Sequence, residues 1–411
     1  MIRAIARVLV IGALVASVPA AQTRTSKTLD MYVVDVEGGG AKLYVSPSGE
    51  TLLVDTGNPG GRDVERIMAV INEAGVKQLD HVLLTHYHVD HIGGLQELAQ
   101  RIPIRHYIDH GPTVEEREQV AGFQQAYAEL YQKGTHTVAR PGDKVALPGV
   151  EWTIVTSAGQ AIKKPLAGGG KPNRACSEFT PREPRDTSRD ENGQSVGSAI
   201  VYGKFRAIDL GDLLWNNEFD LMCPNNPIGP IDVYITSHHG TDPSGSRALV
   251  HGLQPRVAVT QNGTRKGATT QTFDTLQSSP GFEDIWQVHW AYAGGIERNP
   301  AGVFIANVDD PAAVAAVLTA PPGAGRAGSP GATASASAPP GQSATAAPNP
   351  AQGATATSGP PLDAVRDRPQ GGGRGGGHTG PAYWIKVSAQ ADGSFTVTNS
   401  RNGFSKTYSP R

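Results

Sequence analysis

From Thr85 to His91 the chain reads Thr-His-Tyr-His-Val-Asp-His, which puts four metal-ligating side chains, His86, His88, Asp90 and His91, within six positions. Imidazole nitrogens beside one hard carboxylate suit zinc and are tolerable for manganese or iron. Two histidines two residues apart on extended backbone can reach one cation together, and the adjacent Asp90-His91 pair can turn toward a second. A lone histidine would read as an ordinary polar loop; this density at a strand-to-helix junction reads as a metal site. Further on, Asp212 ends one predicted strand and His238-His239 follows another, with room between them for one loop and one strand. Both can therefore arrive at the same edge of a layered fold. A carboxylate such as Asp212 can bridge two cations, so Asp90 and Asp212 are assigned to catalysis as well as to metal binding. Two neighbouring cations lower the pKa of a shared water toward neutrality and hold a substrate's oxygens, which predicts hydrolysis. His110 is either an added ligand or a loop residue. Asp55 is either a partner that orients a ligand histidine or a turn former. His81, His106, His136, His251 and His289 have no partner pattern and read as structural.

The positioning elements alternate in type. Strands are predicted over 29–36, 41–45 and 51–54, linked by tight turns into a meander. A helix follows over 62–74, where Val64, Ile67, Met68, Val70 and Ile71 fall at helical spacing. The apolar run 82–85 enters the ligand cluster and a helix starts at Ile92. A strand over 104–108, a helix over 115–133 and a hairpin of 145–147 with 151–156 come next. The stretch 157–193 is polar, rich in Gly, Pro and Arg, and aperiodic, so it is either a functional loop or disordered. A hairpin of 198–202 with 205–209 precedes strands over 231–236, 257–260, 284–289 and 301–308, with helices over 246–251 and 270–277 between them.

The ends differ from the middle. Arg3, Arg7, an apolar run over 8–18 and Val18-Pro19-Ala20-Ala21 predict a signal peptide over 1–21, and hence export to the periplasm or the extracellular space. The run is too short to span a bilayer, so no membrane span is expected after cleavage. In an oxidising compartment Cys176 and Cys223 could form one disulfide, although their sequence positions do not establish that they meet. Residues 311–380 consist largely of Ala, Gly, Pro, Ser and Thr, a composition that predicts a disordered insertion or tether. Strand signals over 383–389 and 395–398 predict a C-terminal β-hairpin within 381–411 that returns to the main domain, 28–310; a separate small module is the alternative. The net charge of −2 comes with both signs scattered. That leaves no basic stripe and no strong nucleic-acid signal.

THYHVDH fits the H-x-H-x-D-H signature of the metallo-β-lactamase superfamily, and the resemblance implies a four-layer αββα sandwich of the α/β class with one or two metals at one edge. The segment DVEGGGAKLYVSPSGETLLVDTG resembles the start of the hydrolase domain of ComEC-type competence proteins, and GQSVGSAIVYGKFRAIDLGD and DVYITSHHG resemble its later strands. The likeness covers about residues 28 to 290. It implies that His86, His88, Asp90, His91, Asp212 and one of His238 and His239 bind metal. Three positions depart from the pattern. Ser157-Ala158-Gly159-Gln160 stands where many members place another histidine, Gly40 stands where ComEC-like domains are acidic, and Gly267-Ala268 stands where they often have Gly-His. The expected protein is an exported hydrolase holding two zinc ions (manganese or iron being alternatives) and acting on a small or oligomeric phosphodiester or related ester. A lactone or β-lactam hydrolase, or a non-catalytic metal-binding interaction protein on the same fold, are the competing expectations.

Overall fold

The meander expected near the N-terminus forms the centre of the first sheet: Leu29–Val33, Lys42–Val45 and Thr51–Val54 pair antiparallel in sequence order. Leu79–Leu83, Ile104–Asp109 and Thr135–Val138 then add in parallel. Parallel neighbours need crossovers, and the helices Arg62–Glu73 and Glu118–Tyr131 supply two of them. This computed structural model describes residues 27–295, 297–308 and 382–411. The expected signal peptide and the expected disordered tether lie outside those residues.

On its far edge Leu29–Val33 pairs antiparallel with Ile385–Ala389, in a register running from Leu29 opposite Ala389 to Val33 opposite Ile385. Phe395–Asn399 and Ser405–Tyr408 continue the sheet outward. The tail thus contributes three strands where the sequence pattern suggests two. Ser405–Tyr408 buries only Tyr408, so it carries little apolar alternation to read. Thr135–Val138, another edge strand with no buried residue, escapes for the same reason.

The second sheet runs in the order Ile305–Asn307, Asp284–His289, Val257–Thr260, Val233–Ile235, Phe205–Asp209, Gly197–Tyr202, Val150–Ser157 and Lys144–Leu147. Its first five strands are parallel and the remainder antiparallel. A core that includes Tyr44, Trp152, Ile200, Phe205, Trp286, Val387 and Phe395 fills the space between the sheets. A second apolar layer packs Val64, Ile67 and Ile71 of the Arg62–Glu73 helix, with Val120 and Tyr127 of the next long helix, on the outer face of the first sheet. A third sets Leu221, Leu249, Val250 and Leu276 against the second. The architecture is therefore the α/β four-layer αββα sandwich. No helix of the described residues is long and apolar enough to cross a membrane.

Candidate metal centre

The candidate ligands gather because strands of both sheets end at one edge. Leu79–Leu83 releases the chain into His86, and Phe205–Asp209 releases it into Asp212. Val233–Ile235, parallel to Phe205–Asp209, releases it into His238 and His239. Asp90 and His91 lie in the short helix Val89–Ile92, which His88 caps. His238 and His239 adopt positive φ in succession, 52° and 57°. That uncommon turn is secured by the His238 amide on Gly211 O at 2.9 Å and the Ala268 amide on His239 O at 3.0 Å.

Asp212 Oδ2 is the hub. It lies 3.2 Å from His239 Nε2, 3.3 Å from His91 Nε2, 3.6 Å from His238 Nε2 and 4.0 Å from His86 Nε2. Asp90, His91, Asp212 and His239 form the tightest set. Besides the two Asp212 distances, His91 Nε2 is 3.3 Å from His239 Nε2, and Asp90 Oδ2 is 3.5 and 3.3 Å from those nitrogens. Ligands at the usual zinc distances occupy a tetrahedron with edges of about 3.3 to 3.6 Å, and five edges of this set are of that size.

The protons point the same way. His91 Nδ1 donates to Asp55 Oδ2 at 2.8 Å, and His239 Nδ1 faces the Gln261 carbonyl at 3.3 Å. Each ring therefore turns a lone pair at Nε2 toward the other and toward two carboxylates, and Asp212 Oδ1 is buried without a hydrogen-bond partner. Four converging acceptors call for a cation. Burial alone would raise the Asp212 carboxyl, yet His239, His91 and His238 around it hold it well below its ordinary range. Burial opposes charge on His91, but Asp212, Asp55 and Asp90 outweigh it and raise this imidazole well above its usual value. A cation at Nε2 would supply the positive charge that a proton otherwise brings. The residues present fit a divalent metal.

The other candidates divide. His86 Nδ1 meets Thr85 Oγ1 at 3.0 Å, and its Nε2 faces His88 Nδ1 at 3.1 Å. His238 Nδ1 is held by Ser244 Oγ at 3.2 Å, which leaves Nε2 for the hub. Both of His238 and His239 thus reach Asp212. His110 does not join them: its Nε2 bonds Glu191 Oε2 at 3.0 Å, and its ring packs on Tyr87. Ser157, standing where a histidine is common, donates to Ala139 O at 2.8 Å. Asp55 is the orienting partner of His91, and it also accepts from the Thr85 amide at 2.8 Å. Cys176 and Cys223 are bonded to each other. His289 Nε2 lies 3.8 Å from Glu37 Oε1, in a group with Asp35 whose acids are matched by Arg66 at 3.1 and 3.4 Å.

Close packing accounts for Gly40. A Cβ there would sit 2.6 Å from Asp55 Oδ2 and 2.8 Å from His91 Nδ1, and one on Gly39 would lie 2.4 Å from Asp90 O. The loop lies against the ligand motif, so an acidic side chain has no room.

Several contributors carry no motif. His88 Nε2 lies 3.2 Å from Glu115 Oε1 and 2.7 Å from an Arg117 guanidinium nitrogen, so it donates to the first or accepts from the second according to its tautomer. Glu115 and Arg117 both look like helix residues in the sequence, but the helix begins at Glu118, which frees Glu115 to turn inward while Arg117 reaches His88 from an exposed position. The 157–193 loop is tied back at its end by Glu191, which is fully buried. It accepts from the Tyr87 amide at 3.1 Å, His110 at 3.0 Å, Thr113 Oγ1 at 2.6 Å and the Val114 amide at 2.9 Å. Glu191→Ala would strand the buried Tyr87 amide, between His86 and His88, and the Val114 amide. We expect a loss of about 2 kcal/mol or more in urea unfolding, and metal affinity about 10 to 100 times weaker by competition with a chromophoric chelator. Wild-type metal affinity in a folded variant would remove the loop from the centre's support.

Burial, with His91 and His88 beside it, lowers His86 well below the ordinary imidazole range, and His238 is pushed down to about 4 by burial. The unfolded chain binds protons near pH 6.5 that these folded rings refuse, so unfolding free energy falls as pH drops from about 6.5 toward 4. In metal-free protein the melting temperature should fall across that window, and less steeply in His238→Gln. Equal slopes would assign the linked proton to another group.

Residues 42–166 match the family model described as the Metallo-beta-lactamase superfamily, the superfamily whose signature THYHVDH carries, and the chain has its fold. Competence protein ComA of Neisseria gonorrhoeae is 24% identical over 226 residues, covering 55% of this chain and 26% of the relative. Hydroxyacylglutathione hydrolase of Citrobacter koseri is 31% identical over 114 residues, covering 28% of this chain and 36% of the relative. The chain therefore spans about a quarter to a third of the length of these curated relatives. Among solved structures, Igni18, a metallo hydrolase from Ignicoccus hospitalis, aligns at 17% identity with a TM-score of 0.37, covering 62% of this chain and 94% of that one.

Proposed function

We propose that this protein is an exported metal-dependent hydrolase that cleaves a phosphodiester or a related ester. The observation that carries the reading is the convergence of four lone-pair-bearing atoms of Asp90, His91, Asp212 and His239 with zinc-like spacing. His86 and His238 around the same Asp212 oxygen, with His88 Nδ1 3.1 Å from His86 Nε2, support a second cation, with His238 taking the post that Ser157 and His110 leave unfilled. Zinc is the favoured ion because imidazole predominates among the ligands. When bound, such ions generate a nucleophile from water near neutral pH and polarise the ester as Lewis acids.

The chain's own residues do the rest. Asp55 and the Gln261 carbonyl engage Nδ1 of His91 and His239, so that Nε2 is the atom each ring offers for ligation. Asp212 keeps a second, buried oxygen beside the hub without a hydrogen-bond partner, which can accept a hydrogen bond from a hydroxyl brought against it. Lys266, on Asp90, and Arg117, on His88, put positive charge around the ligands and favour an anionic ester. The disulfide supports an oxidising compartment, and with it export.

Turnover of a chromogenic phosphodiester, a chromogenic lactone and a cephalosporin by the purified chain, before and after dialysis against a chelator, tests the proposal. Phosphodiester hydrolysis that is lost with the metal and returns with zinc is the expected result. Turnover of the lactone or the cephalosporin alone would move the substrate class, and less than about half a metal per chain would remove the enzymatic reading.

A further inference from the structure

The ammonium of Lys266 is in hydrogen-bond contact with Asp90 Oδ2, the oxygen that lies 3.3 Å from His239 Nε2 and 3.5 Å from His91 Nε2. Its side chain is 27% exposed, whereas those of His91 and His239 are 0% exposed. The lysine therefore stands at the lip of the centre, between the ligands and solvent. Its backbone is clamped. Lys266 O accepts the Gly263 amide at 2.9 Å, and a Cβ on Gly38 would lie 3.0 Å from the Lys266 Cβ. On the other side the next turn rests on His239, where a Cβ on Gly267 would come 2.0 Å from the His239 carbonyl. The segment that carries the ammonium is thus wedged between the glycine-rich loop after Val36 and a metal-ligand backbone, so its placement beside Asp90 is built in.

An ammonium carries three donors, and Asp90 needs one. Once Asp90 gives its charge to a cation, the ammonium becomes the less neutralised partner and a ready seat for a second anion. We propose that Lys266 binds an anionic oxygen of the substrate next to the scissile bond and so selects esters charged at the reacting group over neutral ones. The inference rests on the reading of the centre as a metal-dependent ester hydrolase. It adds where that charge sits relative to the scissile bond and assigns its recognition to one residue. Arg117, 62% exposed and engaged by Glu115 and His88, is a second cation beside the ligands.

The test uses the metal-loaded full chain, titrated calorimetrically with inorganic phosphate, with metal content measured on the same samples. Lys266→Met, which keeps the apolar stem, should weaken phosphate binding about tenfold or more at unchanged metal per chain, and Lys266→Arg should retain most of the affinity. The KM for a chromogenic phosphodiester should rise in Lys266→Met while that for a neutral lactone stays put. Phosphate affinity equal to wild type in Lys266→Met overturns the proposal, as does a wild-type chain that loads metal yet binds no phosphate. A gain of metal in Lys266→Met also overturns it, because the lysine would then be a rival of the cation for Asp90. If the wild type hydrolyses no phosphodiester but loses phosphate affinity with Lys266→Met, the anion site stands and the reaction proposed above falls.

Discussion

Asp212→Ala is expected to lower kcat/KM by about a thousandfold or more and to empty the centre of metal in the same preparation. The size follows from the position of one oxygen. Asp212 Oδ2 is the atom on which His239, His91, His238 and His86 converge, between 3.2 and 4.0 Å away. With it gone, the imidazoles lose the negative charge that makes a cation between them favourable, and both proposed metal positions lose their shared ligand. Asp212→Asn separates charge from shape, since the amide keeps the volume but turns a donor or a neutral oxygen toward four ring nitrogens. Metal content and turnover should fall together in both variants, further in the alanine. Full metal content with lost turnover would instead make Asp212 a participant in the reaction that is dispensable for binding.

The second large effect is on stability. Lys42 is wholly buried, 3.3 Å from Asp55 and 3.4 Å from Asp209, and Tyr44 Oη donates to the same Asp209 oxygen at 3.3 Å. Burial disfavours its charge, but Asp209 and Asp55 overcome that and raise the ammonium's pKa. Lys42→Met should cost about 3 to 5 kcal/mol in urea unfolding, because it leaves two buried carboxylates without their cation. The damage should reach the centre as well, since Asp55 is the partner of His91 Nδ1. Adding Asp209→Asn to Lys42→Met should recover part of the loss by removing one stranded charge. A single variant within about 1 kcal/mol of wild type, inside the range of an ordinary surface change, would show that the triad contributes little.

Much of this was legible from spacing. The meander, the alternation of helices and strands, and the ligand motif all announce themselves through periodicity and residue type. Asp212 and the His238-His239 pair were readable because each follows a strand and carries ligand chemistry. Lys42 was not, since a lysine in a short strand looks like any solvent-facing residue until the opposite sheet is in place. Glu115 and Arg117 were hidden by a helix that begins three residues later than its pattern suggests. His110 was legible as a residue but not in its role, because Glu191 arrives from a loop without periodicity, 81 positions away. For Gly40 the sequence revealed only a departure from a family pattern; the Asp55 and His91 atoms beside it give the reason.

Local chemistry therefore established the class: ligand types on consecutive positions, strand ends and a bridging carboxylate define a metal centre wherever they converge. What convergence added depends on distances between residues far apart in the chain. These include which nitrogen of each histidine is free, that Lys42 neutralises the carboxylate behind His91, that Glu191 ties the long loop to the ligand segment, and that Lys266 faces Asp90. Hydrogen bonds and ion pairs act over a few ångströms of space and are indifferent to separation along the chain. The seat of the metal is thus written in a few adjacent residues, while its tautomers, its charge balance and the lysine beside Asp90 arise from the packing of two sheets against each other.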